Sequence, residues 1–190
     1  MQFLMRLKKE MERFHTHSLH GISCWQTENV QQLQASIVGP DGTPYEDGVF
    51  QIDIQIPDRY PFVPPNVRFA TPVYHPNIDD SGRICLDTLK LPPQGSWKPC
   101  LNLSSVLIGI QLLMSEPNFD DPLMSEIAQE YQSNRESFLK HAKEWTDKFA
   151  KKQSAEKSST DNVKSLNGAS SSKKHTLDIT ESPEPKRFCL

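Results

Sequence analysis

One stretch carries the residue types for acyl transfer: His75-Pro76-Asn77-Ile78-Asp79-Asp80-Ser81-Gly82-Arg83-Ile84-Cys85-Leu86. A thiolate attacks carbonyls, and a nearby carboxamide N–H can steady the resulting oxyanion or the loop that bears the thiol. Pro76 stiffens the approach and Asp80-Ser81-Gly82 is a turn, so Cys85 is expected on a constrained loop. The charged Asp87, two residues on, argues against deep burial. His75 is the only histidine in this loop, and no general base stands beside the cysteine, so a hydrolytic Cys/His dyad is poorly supported. Exchange between thioesters needs no such base: sulfur attacks, sulfur leaves, and a near-ordinary thiol pKa suffices. The plain alternative is an inert, buried cysteine.

Other chemistries fit less well. His15, His17, His20 and Cys24 have zinc-ligand types, but His-x-His at a helix end does not put both rings on one face; no metal site is expected. No Gly-rich phosphate loop is present. The four cysteines form no CxxC pair, and the chain starts with mixed acids and bases rather than a secretory signal, so a reducing compartment with free thiols is expected. No apolar run approaches the roughly 20 residues of a membrane span.

The elements that must position the loop follow from periodicity. Phe3 to Phe14 predicts an amphipathic helix, with Leu4, Leu7, Met11 and Phe14 on the apolar side and Arg6, Lys8, Lys9 and Arg13 on the other. Four strands are predicted at Ile22–Gln26, Leu33–Val38, Val49–Ile56 and Asn66–Phe69, with no helices between them, which indicates an antiparallel meander. Tyr60-Pro61-Phe62-Val63-Pro64-Pro65 lacks the donors for a sheet interior and is expected to be extended and rigid, with Tyr60-Pro61 a candidate cis bond. Residues 70–100 show no period and are expected to form a long, ordered, functional loop. Helices are predicted over Ser104–Met114, Leu123–Tyr131 and Glu136–Lys152, with a turn at Asn118–Pro122. The order describes an α+β domain over 1–152.

Beyond it, 153–190 is Ser- and Lys-rich and reads as a disordered tail. Residues 151–190 hold eight Lys/Arg against five Asp/Glu, leaving 1–150 at −6 of the chain's −3. Bulk charge therefore does not make the folded part a nucleic-acid binder. Lys173-Lys174 and Lys186-Arg187 have bipartite nuclear-localisation spacing.

Taken together, these motifs resemble a family. Gly39-Pro40, Thr43-Pro44-Tyr45-Glu46-Asp47-Gly48-Val49-Phe50, Tyr60 to Pro65, His75-Pro76-Asn77-Ile78, Cys85-Leu86, Trp97 and Asp120-Asp121-Pro122-Leu123 occur in the order found in ubiquitin-conjugating enzymes, over about 1–150. The stretches Leu91 to Pro99 and Gln111 to Asn118 resemble the T-type branch, which works in the nuclear Fanconi anaemia pathway and attaches one ubiquitin to a DNA-clamp protein in interstrand crosslink repair.

The resemblance implies the ubiquitin-conjugating fold and a set of roles. Cys85 would take ubiquitin from the activating enzyme as a thioester. Asn77 would order the loop and help hold the oxyanion, and Asp121 would orient or desolvate the attacking lysine. His75 would hold the loop, with Leu86 and Leu123 packed nearby. Arg6, Lys9, Phe62 and Pro99 match the family's ligase face, overlapped by the activating enzyme's, with Arg59 a candidate for partner selectivity. Lys90, five residues past Cys85, is expected to receive ubiquitin from its own thioester. The implied partners are ubiquitin, the activating enzyme, a RING-type ligase of the Fanconi anaemia complex and a substrate lysine, without membrane or direct nucleic-acid contact. No bound cofactor is expected, since ATP is used by the activating enzyme. The nucleus is the expected location, with the cytoplasm second. Ile22 stands where many relatives place a small polar residue on the sheet's outer face, which bears on non-covalent ubiquitin binding there. The alternatives are an enzyme of this fold charged with another ubiquitin-like modifier, and a catalytically silent binding module.

Overall fold

Alternation along the second and third strands organises the fold. In the computed structural model, which describes residues 2–16 and 19–151, β1 (Ile22–Gln26), β2 (Gln32–Val38), β3 (Val49–Gln55) and β4 (Asn66–Phe69) pair in sequence order as an antiparallel meander. Register sets Ala35 opposite Ile52 and Ile52 opposite Phe69. One face therefore buries Leu33, Ala35, Ile37, Phe50, Ile52, Ile54, Val67 and Phe69, while Gln34, Gln51 and Arg68 face outward. Ile22 belongs to the inner set: it is buried and pairs with Ile37. The outward residue is Ser23, so the sheet's outer face has its small polar residue after all. Cys24 also faces the core, where burial and the Glu10 carboxylate push its thiol up to about 12. That removes it from any histidine cluster; His17 lies outside the described residues.

The first helix, α1 (Gln2–Thr16), packs on β1 and on α2 (Leu103–Ser115). Its apolar side differs from the sequence pattern. Leu7 and Met11 are buried, but Leu4 is exposed and Glu10 is buried in its place. A buried carboxylate is tolerated only when its oxygens are occupied. Glu10 accepts from Arg6 Nε (2.7 Å), Tyr60 Oη (2.9 Å) and the Leu103 N–H (2.9 Å). One side chain thus joins α1, the proline-rich segment after β3 and the start of α2. Asn102 caps α2 by accepting from the Ser105 N–H at 2.9 Å, and Ser105 Oγ accepts from the Asn102 N–H at 3.0 Å, a reciprocal capping box.

Of the later helices, the third is shifted by two residues and the fourth ends earlier than periodicity suggested. The helix α3 runs Ser125–Ser133 rather than from Leu123, since Met124 before it is non-helical (φ −115, ψ 85); the N–H groups of Leu123 and Met124 both donate to the Pro76 carbonyl, at 2.9 and 3.0 Å. After α4 (Arg135–Trp145), Thr146–Ala150 form a π-type turn, and Thr146 Oγ1 donates back to the Ala142 carbonyl at 2.8 Å. Phe138 of α4 stacks on Tyr131 and Tyr74, which anchors the α3–α4 pair beside the loop that follows β4. Tyr60-Pro61 is cis. The reading of 153–190 as a tail, with its basic pairs, lies outside the described residues.

Replacing Glu10 with Ala is expected to cost about 3 kcal/mol, since it strands the Tyr60 hydroxyl, the Leu103 N–H and the Arg6 guanidinium together. Urea denaturation measures this; a midpoint unchanged from wild type would contradict the role given to Glu10.

Candidate active site

Residues 70–100 are irregular yet ordered, and the reason lies in how their backbone is partnered. Gly82 takes φ +81, and a Cβ there would collide with the Phe69 carbonyl, so only glycine lets the chain turn back so closely. The Phe69 N–H donates to the Gly82 carbonyl at 2.8 Å, and the Cys85 N–H to the Asn77 carbonyl at 2.9 Å. Asp79 Oδ1 accepts from the Ser81 and Arg83 N–H groups, each at 3.0 Å. The stretch His75–Cys85 is therefore a pinned hairpin that sets Cys85 beside Asn77.

His75 and Asn77, both fully buried, tie this hairpin to the rest of the molecule. The Asn77 N–H donates to His75 Nδ1 at 3.0 Å, so the ring proton lies on Nε2, which donates to the Leu113 carbonyl of α2 at 2.9 Å. Burial holds the imidazole down at about 4, so it is neutral at pH 7 and serves as a strut. The Asn77 side chain reaches the other way. Its Oδ1 accepts from the Asn118 N–H at 2.8 Å, and Nδ2 donates to the Asn118 carbonyl at 2.6 Å and, at a longer 3.5 Å, to the Asp121 carbonyl. Asn77 thereby fastens the 118–121 turn against the hairpin that carries Cys85.

Cys85, Asp121 and Lys90 meet at that junction. Cys85 Sγ donates to Asp121 Oδ2 at 3.1 Å, and Lys90 Nζ lies 3.1 Å from both Cys85 Sγ and Asp121 Oδ2. Burial, then the Asp121 carboxylate, raise the thiol above its ordinary value, and the Lys90 ammonium pulls it back. The Cys85 and Lys90 hydrogen bonds depress the Asp121 carboxyl, and the same contacts raise the Lys90 ammonium. The cysteine is only 7% exposed. The charged Asp87 misled on this point, because it starts a short 3₁₀ turn (Asp87–Leu89) whose exposure does not extend back to Cys85. Among the described residues the thiol's hydrogen-bond partners are the Asp121 carboxylate and the Lys90 ammonium, with no imidazole to take its proton as a hydrolytic Cys/His dyad would need. Leu86 lies partly buried over α2, near Gly109, and Leu123 is joined to the loop through its N–H on Pro76.

The other predicted residues gather elsewhere. Arg6 donates through Nη1 to the Pro99 carbonyl (2.7 Å) and through Nη2 to the Leu101 carbonyl (2.6 Å), and Trp97 Nε1 donates to the Pro61 carbonyl at 2.8 Å. These bonds bring α1, the Phe62 loop and the Pro99 loop to one surface. Phe62, 65% exposed, projects from it, and Lys9 lines a groove beside it with Met5, Arg13 and Cys100. Arg6 is thus a clamp within the surface as well as part of it. Arg59 is exposed, and its carbonyl accepts the Phe62 N–H at 2.8 Å. Glu10, Asn118 and Trp97 carry no role in the sequence reading; a carboxylate at Glu10, three residues from Leu7 and four from Phe14, is the available signal.

A thiol, a carboxamide-bound turn and a carboxylate on this sheet-and-helix frame define a class. Residues 6–146 match the family model described as ubiquitin-conjugating enzyme, and the chain belongs to that family. Its relatives include the Xenopus laevis "Ubiquitin-conjugating enzyme E2 T", 50% identical over 98% of this chain and 99% of the relative, and the human protein of that name, 55% identical over 80% of this chain and 77% of its own. The Saccharomyces cerevisiae "Ubiquitin-conjugating enzyme E2 13" is 42% identical over 77% of this chain. The protein is therefore a ubiquitin-conjugating enzyme, which works with ubiquitin, an activating enzyme and ligases.

The buried imidazole makes the fold sensitive to acid. His75 has a folded pKa of about 4 against about 6.5 in the unfolded chain. The unfolded state binds the extra proton between these values, so stability present above pH 6.5 falls by about 3 kcal/mol on the way to pH 4. Imidazole NMR signals of His75 should stay those of the Nε2–H tautomer down to about pH 5; titration above pH 6 would contradict the assignment.

Proposed function

We propose that Cys85 accepts the C-terminal glycine of ubiquitin as a thioester and passes it to a lysine of a protein substrate. In charging, Cys85 sulfur bonds to the carbonyl carbon held on the activating enzyme's cysteine. The donor C–S bond breaks, and the Cys85 proton passes to the departing sulfur. In discharge, a neutral lysine amine attacks the same carbon, the bond to Cys85 breaks, and the amide forms. Asp121 draws the incoming ammonium to the thioester. It does not deprotonate it unaided, because a carboxylate favours the charged amine; release of that proton falls to solvent. The Asn77 side-chain Nδ2–H, now loosely held by the Asp121 carbonyl, is the donor for the oxyanion, and His75 holds the loop from beneath. The observation that carries this reading is the convergence of Cys85, Asp121 and Lys90 within 3.1 Å.

The finer reading rests on the relatives. We infer that a RING-type ligase of the Fanconi anaemia complex binds the surface built from Arg6, Lys9, Phe62 and Pro99, with Arg59 tuning selectivity. On this reading the product is a single ubiquitin on a DNA-clamp protein, in the nucleus, in interstrand crosslink repair. ATP is consumed by the activating enzyme, with no cofactor on this chain. Similarity to proteins named E2 T over nearly the whole chain supports it. Lys90, held against Sγ, is also the lysine placed to capture ubiquitin from its own thioester.

A non-reducing gel tests the central step. With activating enzyme, ATP and ubiquitin, a band one ubiquitin heavier should form, disappear on thiol reduction, and be absent in Cys85→Ala. On long incubation a reduction-resistant adduct should accumulate and be lost in Lys90→Arg. A reducible adduct in Cys85→Ala would refute the site, and an undiminished resistant adduct in Lys90→Arg would refute self-modification.

A further inference from the structure

The seat that a substrate lysine would take on Asp121 is already filled. Lys90 Nζ lies 3.1 Å from Asp121 Oδ2, and its reach is set by its backbone. The Lys90 N–H donates to the Asp87 carbonyl at 3.0 Å, and its carbonyl accepts from the Trp97 N–H at 3.0 Å. A Cβ at Gly95 would strike the Lys90 backbone, so the Leu91–Gly95 turn closes tightly under it. The side chain thus starts from a fixed point. The contact is not buried: the Asp121 side chain is 69% exposed and that of Lys90 35%, so the seat opens to the solvent from which an acceptor arrives.

We propose that Lys90 is a resident competitor for the acceptor lysine, an ammonium that occupies Asp121 and must be displaced before a substrate amine is seated. This rests on the reading of Asp121 as the acceptor's partner. Once Cys85 is acylated its S–H proton is gone, so the thiol no longer donates to Asp121 and Lys90 is left as the side-chain donor to the carboxylate. Two ammonium groups on one exposed carboxylate repel each other, so occupancy by Lys90 weakens the seating of a second. Asp121 and Cys85 both favour the charged form of Lys90, and a charged amine cannot attack a carbonyl. At neutral pH Lys90 therefore blocks more often than it reacts. An exposed pair is weak, so the effect is modest: about two- to five-fold in acceptor use.

The test is discharge of preformed ubiquitin thioester to free lysine, with charging stopped by removing magnesium and thioester loss followed on non-reducing gels. Against lysine concentration, the slope reports acceptor use and the intercept reports lysine-independent loss, self-acylation included. Lys90→Ala should raise the slope about two- to five-fold. Lys90→Arg should keep the wild-type slope, because a guanidinium holds the seat yet cannot be acylated. Asp121→Asn should lower the slope, and adding Lys90→Ala to it should restore nothing. A Lys90→Ala slope no higher than that of Lys90→Arg, or a gain that persists without Asp121, would overturn the competition while leaving the thioester function intact. A wild-type chain that never forms the thioester would overturn both.

Discussion

A neutral imidazole buried between α2 and the active loop is the constraint on which the site depends. His75 has one ring nitrogen that donates and one that accepts, and each has a single partner: the Leu113 carbonyl and the Asn77 N–H. Neither partner can be replaced by water, because the ring is fully enclosed. The Asn77 backbone is thereby fixed, and its carboxamide is aimed at Asn118 and Asp121. Remove the ring and two buried backbone groups lose their partners; the loop and the 118–121 turn lose their common anchor.

Below this strut the frame is rigid for separate reasons. The meander presents its apolar face to α2, and the reciprocal Asn102–Ser105 cap fixes where α2 begins. Glu10 fastens that same point to α1 and to Tyr60. Arg6 then ties the Pro99 and Leu101 carbonyls to α1. The surface around Arg6 and Pro99 and the loop that carries Cys85 are thus attached to opposite ends of one helix, Leu103 at its start and Leu113 near its end.

Much of the frame was legible in the residues. Phe50, Ile52 and Ile54 alternate as an inward strand face must, and the proline-rich run lies outside the sheet. What periodicity could not show is where side chains take over backbone bonding. Leu123 fits the helical period but lies before the non-helical Met124, with its N–H on Pro76, and Glu10, three residues from Leu7, is a carboxylate whose buried partners no period reveals. The family comparison sets Ile22 on the outer face one residue out of step: Ser23 is the outward residue there. In the site, Cys85 and Asn77 were readable from local chemistry. Asp121 is 36 residues from Cys85, and spacing carries no signal for that contact; it entered through family resemblance alone. The three-way meeting with Lys90 needed the structure.

The central claim is that Asn77 acts chiefly by holding the Asp121 turn against Cys85. A double-mutant cycle measures it directly, using lysine discharge of preformed thioester in wild type, Asn77→Ala, Asp121→Asn and the double variant. If Asn77 works through Asp121, the double variant will be slower than Asn77→Ala by much less than Asp121→Asn is slower than wild type. The expected coupling is about five-fold or more. Fully multiplicative losses would show the two residues acting independently and contradict the account.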